Sequence, residues 1–368
     1  MNGSEVDPPG DGESTACQLE VLSEDLVHET IDGDEAASFR KEILRADLGP
    51  QRKLALVRKR PETGPTRGAV ILIHGFAQNR YSWHLSCRSL ENFFAHQGLD
   101  TFNLELAGHG RSREFGTPPA RSFNEYIDDC VPVIEAVANH SGSRQVFLVG
   151  HSLGGAVAYA VAPRCPEKIA GVITLGGVYS FGRNPFVFHA AQLLSRIDGR
   201  SGLVRRLGLG MKTSLFGKLL NGLLPLADDL SWHFPLAGWV PGSTEHEVIR
   251  ERVERGFDWT GINVFLTMMG WAAEDRFSGE DGTDYAAAFA ALDLPLLVVA
   301  GNEDRLATPD DVRPAYEHSR STDKTYREFG PIDDEMHWGH LDIVLGVKAS
   351  ERVWPYLAQW MLQRSGSH

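Results

Sequence analysis

Cysteine is scarce: four residues in 368 (Cys17, Cys87, Cys130 and Cys165), with no CxxC pair and no metal-ligand spacing. That excludes a disulfide-stapled scaffold and a cysteine metal site, and points to free thiols in a reducing, cytoplasmic setting. No run of about 18 apolar residues occurs, so no transmembrane helix is expected. Basic residues are missing from the first 39 positions, which carry eleven acidic ones; Arg40 is the first cation. Without a basic start and an apolar stretch, this lead does not read as a secretion signal. It reads instead as an acidic, disordered tail over residues 1–38. The net charge of −13 argues against a nucleic-acid partner.

The apolar content, 42% of the chain, is ample for a core. Residues 39–46 and 52–59 alternate as two paired opening strands. The runs at 69–73 (AVILI), 100–106, 145–149 (QVFLV), 170–176, 295–300 and 324–329 read as strands, several of them buried. Helical patterns fall between them, at 83–96, 122–139, 152–162, 311–318 and 346–362. This alternation predicts an α/β fold with a mostly parallel sheet covered by helices on both faces. It lapses between 178 and 290, which is too long for a loop. The expected organisation is therefore a core from 39–177 and 291–368, interrupted by a helical cap at 178–290.

The chemistry centres on Gly150-His151-Ser152-Leu153-Gly154, which fits GxSxG. The bare pattern is weak, but here it follows a buried strand and opens a helix. That strand–serine–helix turn presents a hydroxyl at a helix N-terminus, where developing negative charge is favoured. A serine hydroxyl needs a base, and the base needs an orienting acid. Asp304 lies just past the strand at 295–300, with Glu303 as its neighbour and rival. His340 follows the strand at 324–329 and a polar loop, with His337 as its rival; Asp342 is read as a cap or a local hydrogen-bond partner. For the oxyanion, the backbone N–H groups of Leu153 and Phe76 are the expected donors. His74 and His109 read as structural.

The strings HGFAQN, ELAGHGRS, GHSLGG, GNEDRLATP and GHLDIVLG occur in this order from about 74 to 346. This set resembles the α/β-hydrolase superfamily, and within it the branch of acid lipases and poly(hydroxyalkanoate) synthases. The resemblance implies the α/β-hydrolase fold with an eight-stranded sheet. It implies a Ser152–Asp304–His340 triad working without cofactor or metal. Ser152 stands where the synthases carry Cys and where dehalogenases and epoxide hydrolases carry Asp, so ester hydrolysis is expected. An acyltransferase, thioesterase or carbon–carbon hydrolase using the same triad is the alternative, and a non-catalytic binding protein on this fold is another.

Fifteen of the 34 aromatic residues lie in 178–290, which suits a hydrophobic small-molecule or lipid ester under the cap, or ordinary packing of cap helices. The stretch 183–218 carries seven basic residues among leucines and is a candidate lipid-interface segment.

Overall fold

A computed structural model describes residues 17–180, 210–211, 238–258 and 260–365. Its centre is a nine-stranded sheet in the order β1-β2-β3-β5-β4-β6-β7-β10-β11. The strands are β1 (Leu19–Asp32), β2 (Glu35–Asp47), β3 (Lys53–Pro61), β4 (Ala69–Ile73), β5 (Asp100–Glu105), β6 (Val146–His151), β7 (Ile169–Leu175), β10 (Leu296–Gly301) and β11 (Lys324–Phe329). A separate two-residue ladder joins β8 (Gly210–Met211) to β9 (Thr260–Gly261). Pairing is parallel from β5 through β4, β6, β7 and β10 to β11. It is antiparallel among β1, β2, β3 and β5.

The apolar runs form the central strands because helices cover both faces. Successive side chains of a strand point to opposite sides. Ile71 and Leu148 therefore join a core beneath α3 (Phe123–Ser141) and α4 (Leu153–Val161). Leu72, Phe147 and Val149 join a second core with α1 (Leu90–His96) and the helix Ala349–Arg364. Helix α3 starts where Ser122 accepts a hydrogen bond from the Glu125 N–H and stops at Gly142, φ +70°. Helix α1 is shorter than the expected 83–96. Leu85 N–H closes a turn on Arg88 O, and Ser89 then caps the helix through the Asn92 N–H. A short helix, α2 (Gly110–Glu114), follows β5. Among the described residues, no helix is long and apolar enough to cross a membrane.

The acidic lead is not a tail over residues 19–38. It forms β1 and the start of β2, and this raises the sheet from the expected eight strands to nine. The reason is charge complementarity with basic residues of β2, β3 and the turn before α1. Glu20 pairs with Arg45, Glu29 bridges Lys41 and Lys59, and Asp32 holds Arg88. One face of β1 stays in solvent, with Leu26 62% exposed.

Within residues 238–290, the helix His246–Glu251 runs into a π-helical turn, Arg252–Gly256, and a longer helix spans Ile262–Glu274. Not all of the segment sits outside the core. Trp271, Phe277, Tyr285 and Phe289 pack with Phe123 and Tyr159. For these rings, ordinary packing accounts for the aromatic enrichment. Apart from the backbone of 210–211, the basic stretch 183–218 lies outside the described residues.

Candidate active site

The GxSxG string forms the turn it was expected to form. Ser152 sits between β6 and α4 with φ +56° and ψ −122°, a strained backbone for a residue with a side chain. Its N–H donates to Leu175 O at 3.0 Å, tying the turn to the end of β7. The glycines are there for backbone approach: a Cβ at Gly154 would lie 2.1 Å from Ile73 O, and one at Gly150 would lie 2.3 Å from Gly154 O.

Asp304 and His340 come together although 36 residues separate them. His340 Nδ1 donates to Asp304 Oδ2 at 2.7 Å, with both side chains buried. The other carboxylate oxygen, Oδ1, accepts the N–H groups of Leu306 (2.9 Å) and Ala307 (2.8 Å). One carboxylate thus builds the turn after β10 and fixes the imidazole. With Nδ1 carrying the proton, Nε2 is left as the basic nitrogen. Gly176 follows Leu175 at φ +53°, and a Cβ there would stand 3.0 Å from both Asp304 Oδ2 and His340 Nδ1. The serine turn and the Asp–His pair therefore meet around the carboxyl ends of β6, β7 and β10, where ligands bind in open α/β sheets. Among the described residues, the Ser152 hydroxyl has no hydrogen-bond partner. Catalytic hydrogen bonds of this kind often tighten only when substrate is present.

The rivals are occupied elsewhere. His337 is exposed and its Nδ1 meets Asn302 Nδ2 at 2.8 Å. Glu303 uses its N–H to bond Trp338 O at 3.0 Å, and its carboxylate is not the one on the imidazole.

The loop after β4 lies against the serine: a Cβ on Gly75 would come within 3.0 Å of Ser152 Cβ. Among the described residues, no acceptor is bonded to the N–H of Phe76 or of Leu153. His74 is structural, as expected. Its Nδ1 donates to Gly75 O and its Nε2 accepts the Leu106 N–H, and burial, with His109 beside it, pushes its pKa down to about 3. His109 bonds Gln78 O and the Tyr126 hydroxyl, so it too serves the framework.

Two contributors escaped the sequence, His151 and Asp258, and a third, Asp342, is the local hydrogen-bond partner it was read as. His151, the variable residue of the motif, donates from Nε2 to His340 O at 2.9 Å, with ring centroids 4.6 Å apart. Burial first, then His340 and Arg252, hold His151 well below the ordinary imidazole pKa, so it stays neutral. Asp258 braces the Phe76 loop. Its N–H bonds Ala77 O, and its carboxylate accepts from Asn79 Nδ2, the Gly110 N–H and Arg113. Asp342 takes the N–H groups of Val240 and Gly339 and the Thr244 hydroxyl, locking the His340 loop to residues 238–244; burial raises its pKa to about 6. Of the two that escaped, only the histidine next to the serine offered a hint, since it sits inside the motif.

A family model described as serine aminopeptidase, S33 matches residues 64–213. Epoxide hydrolase B of Mycobacterium tuberculosis is 31% identical over 123 residues; the chain spans 32% of that protein's length, and the match covers 32% of this chain. Lipase member N of Mus musculus is 25% identical over 340 residues, covering 82% of this chain and 80% of that one. A soluble variant of monoglyceride lipase from Saccharomyces cerevisiae, solved with a substrate analog, shares the fold with a TM-score of 0.56 and 16% identity. It covers 98% of this chain and 99% of its own. With its mostly parallel sheet and its serine turn between β6 and α4, the chain has the α/β-hydrolase fold.

Proposed function

We propose that the chain is a serine-dependent hydrolase of carboxylic esters. The observation that carries this is the buried Asp304–His340 hydrogen bond of 2.7 Å, set beside the Ser152 turn. In this reading His340 Nε2 takes the Ser152 proton as Oγ attacks the ester carbonyl. Asp304 holds the imidazole and stabilises the imidazolium. The N–H groups of Phe76 and Leu153 receive the oxyanion. Collapse expels the alcohol, protonated by His340, and leaves an acyl-serine. Water activated by the same imidazole then releases the acid.

The epoxide hydrolase relative does not redirect this proposal, because the nucleophile position here holds serine. A hydrophobic acyl group is favoured by Phe76, whose ring centroid lies 5.8 Å from that of Phe265 on the helix Ile262–Glu274. The relatives named as lipases favour it too. We place the protein in a reducing compartment, since all four cysteines are free thiols.

A p-nitrophenyl ester series from short to long acyl chains, read with wild type and Ser152→Ala, tests the proposal. Activity should rise towards the longer chains, and Ser152→Ala should lower kcat by about 10³-fold or more. A fluorophosphonate probe should label the wild type alone. An unaltered rate in Ser152→Ala would end the serine mechanism.

A further inference from the structure

The N–H of Phe76 belongs to the peptide unit whose carbonyl is Gly75 O, and His74 Nδ1 holds that carbonyl at 2.9 Å. A trans peptide is planar, so its N–H points away from its C=O and fixing one fixes the other. Two peptide units further on, Ala77 O accepts the Asp258 N–H at 2.8 Å. Between these two anchors Ala77 is held at φ +54°. A residue with a side chain keeps that left-handed backbone only where its surroundings impose it.

The carboxylate of Asp258, a residue 3% exposed, extends the same grip. Its Oδ2 accepts Asn79 Nδ2 at 3.2 Å and the Gly110 N–H at 2.6 Å, and its Oδ1 accepts Arg113. Asn79 Nδ2 also donates to Arg255 O at 2.9 Å. The chain leading into Asp258 is itself tied down. Glu245 takes the Arg88 guanidinium, and Glu251 takes the N–H and the hydroxyl of Ser86. Asp258 is therefore a fixed point for the Phe76–Asn79 loop, although it lies 179 residues beyond Asn79 in the chain.

We propose that Asp258 is a positioning residue for the oxyanion: it fixes the Ala77 end of the loop and so aims the Phe76 N–H at the negative oxygen of the tetrahedral intermediate. This rests on the serine-hydrolase reading above. A donor of this kind acts where charge develops, so its misplacement lowers kcat and leaves KM nearly alone. A residue serving folding alone would change the Tm and the active fraction, not the preference of the folded enzyme for an oxyanion.

A ketone that traps the serine as an oxyanion tests this on the full chain. With heptyl trifluoromethyl ketone, Ser152 Oγ bonds to the carbonyl carbon, the π electron pair moves onto the oxygen, and the serine proton passes to His340. The matching carbinol has the same chain and forms no oxyanion. Asp258→Ala should lower kcat on p-nitrophenyl hexanoate about tenfold or more, with KM changed less than about threefold. It should weaken inhibition by the ketone about tenfold or more, and by the carbinol less than about threefold. Asp258→Asn can still accept from Asn79 and Gly110 and should recover part of the loss. If Asp258→Ala does not fold, Asn79→Ala, which cuts the carboxylate from the loop, should show the same split, with kcat down about threefold or more. Full kcat and full ketone affinity in the folded variant, or equal losses for ketone and carbinol, would overturn the positioning role; with Ser152→Ala inactive, the serine mechanism would still stand. Full activity in Ser152→Ala would instead remove the serine reading, and this inference with it.

Discussion

The edge built from β1, β2 and β3 and the ends of the strands that carry Ser152, Asp304 and His340 handle buried charge in opposite ways. At the edge, cations meet anions. Arg58 is 7% exposed, and its guanidinium bonds both oxygens of Asp100 and both of Glu42. Lys59 is fully buried and meets Glu29 and Asn92. Around the serine, burial itself sets the protonation state. His74 and His151 are kept neutral by the absence of solvent, and the single buried carboxylate on the imidazole, Asp304, spends its other oxygen on two backbone N–H groups. One chain thus uses ionic pairing to hold a framework and desolvation to keep two imidazoles neutral.

That contrast can be broken at either end. The largest effect should follow from the Asp304→Asn protein. The amide oxygen can still accept the Leu306 and Ala307 N–H groups, so the turn and the Tm should survive. The amide nitrogen would face Nδ1 and favour the wrong tautomer, and kcat should fall by about 10²-fold or more. At the edge, Arg58→Met strips buried Asp100 of its partner and leaves Glu42 with Arg60 and His140 alone. It should cost about 3–5 kcal/mol in urea unfolding, with kcat in the surviving folded fraction little changed.

A pH titration of stability sharpens the comparison further. Burial raises the Glu29 and Glu42 pKa values, but their cationic neighbours outweigh it. Those are chiefly Lys59 and Lys41 for Glu29, and His140, Arg58 and Arg60 for Glu42; both end near 2, against an ordinary 4.5. Because the folded values are the lower ones, this stabilisation is complete above about pH 4.5 and is lost as the pH falls towards 2. Thermal melts across that window should lose less stability in Glu42→Gln, which is already weaker at neutral pH, than in wild type. The smallest effect belongs to Phe76→Ala. If the backbone N–H is what acts, kcat should drop less than about tenfold, with more change in KM for long acyl chains.

The buried strands announced themselves through uninterrupted apolar runs such as AVILI, and the serine turn through its place between a strand and a helix. His340 was separable from His337 by position, and in the structure His340 meets Asp304 while His337 meets Asn302. Strand β1 was not legible, because its reason for being ordered lies in Arg45, Lys41 and Lys59, which belong to other strands. Its own residues carry the composition of a solvated tail. His151 was missed for a related reason: its partner carbonyl is 189 residues away.

Among the described residues, strand β1 also leaves one margin of the sheet with unpaired peptide groups facing outwards, alongside Val21, Leu22 and Leu26. Such a margin is a template on which another molecule could extend the ladder. Glu20, Glu24 and Asp25 stand on the same strand. Glu20 and Glu24 are bridged to Arg45, Arg40 and Arg60 of the inner strands, so Asp25 is the carboxylate left to oppose its like when two molecules approach margin to margin, and salt screens that repulsion.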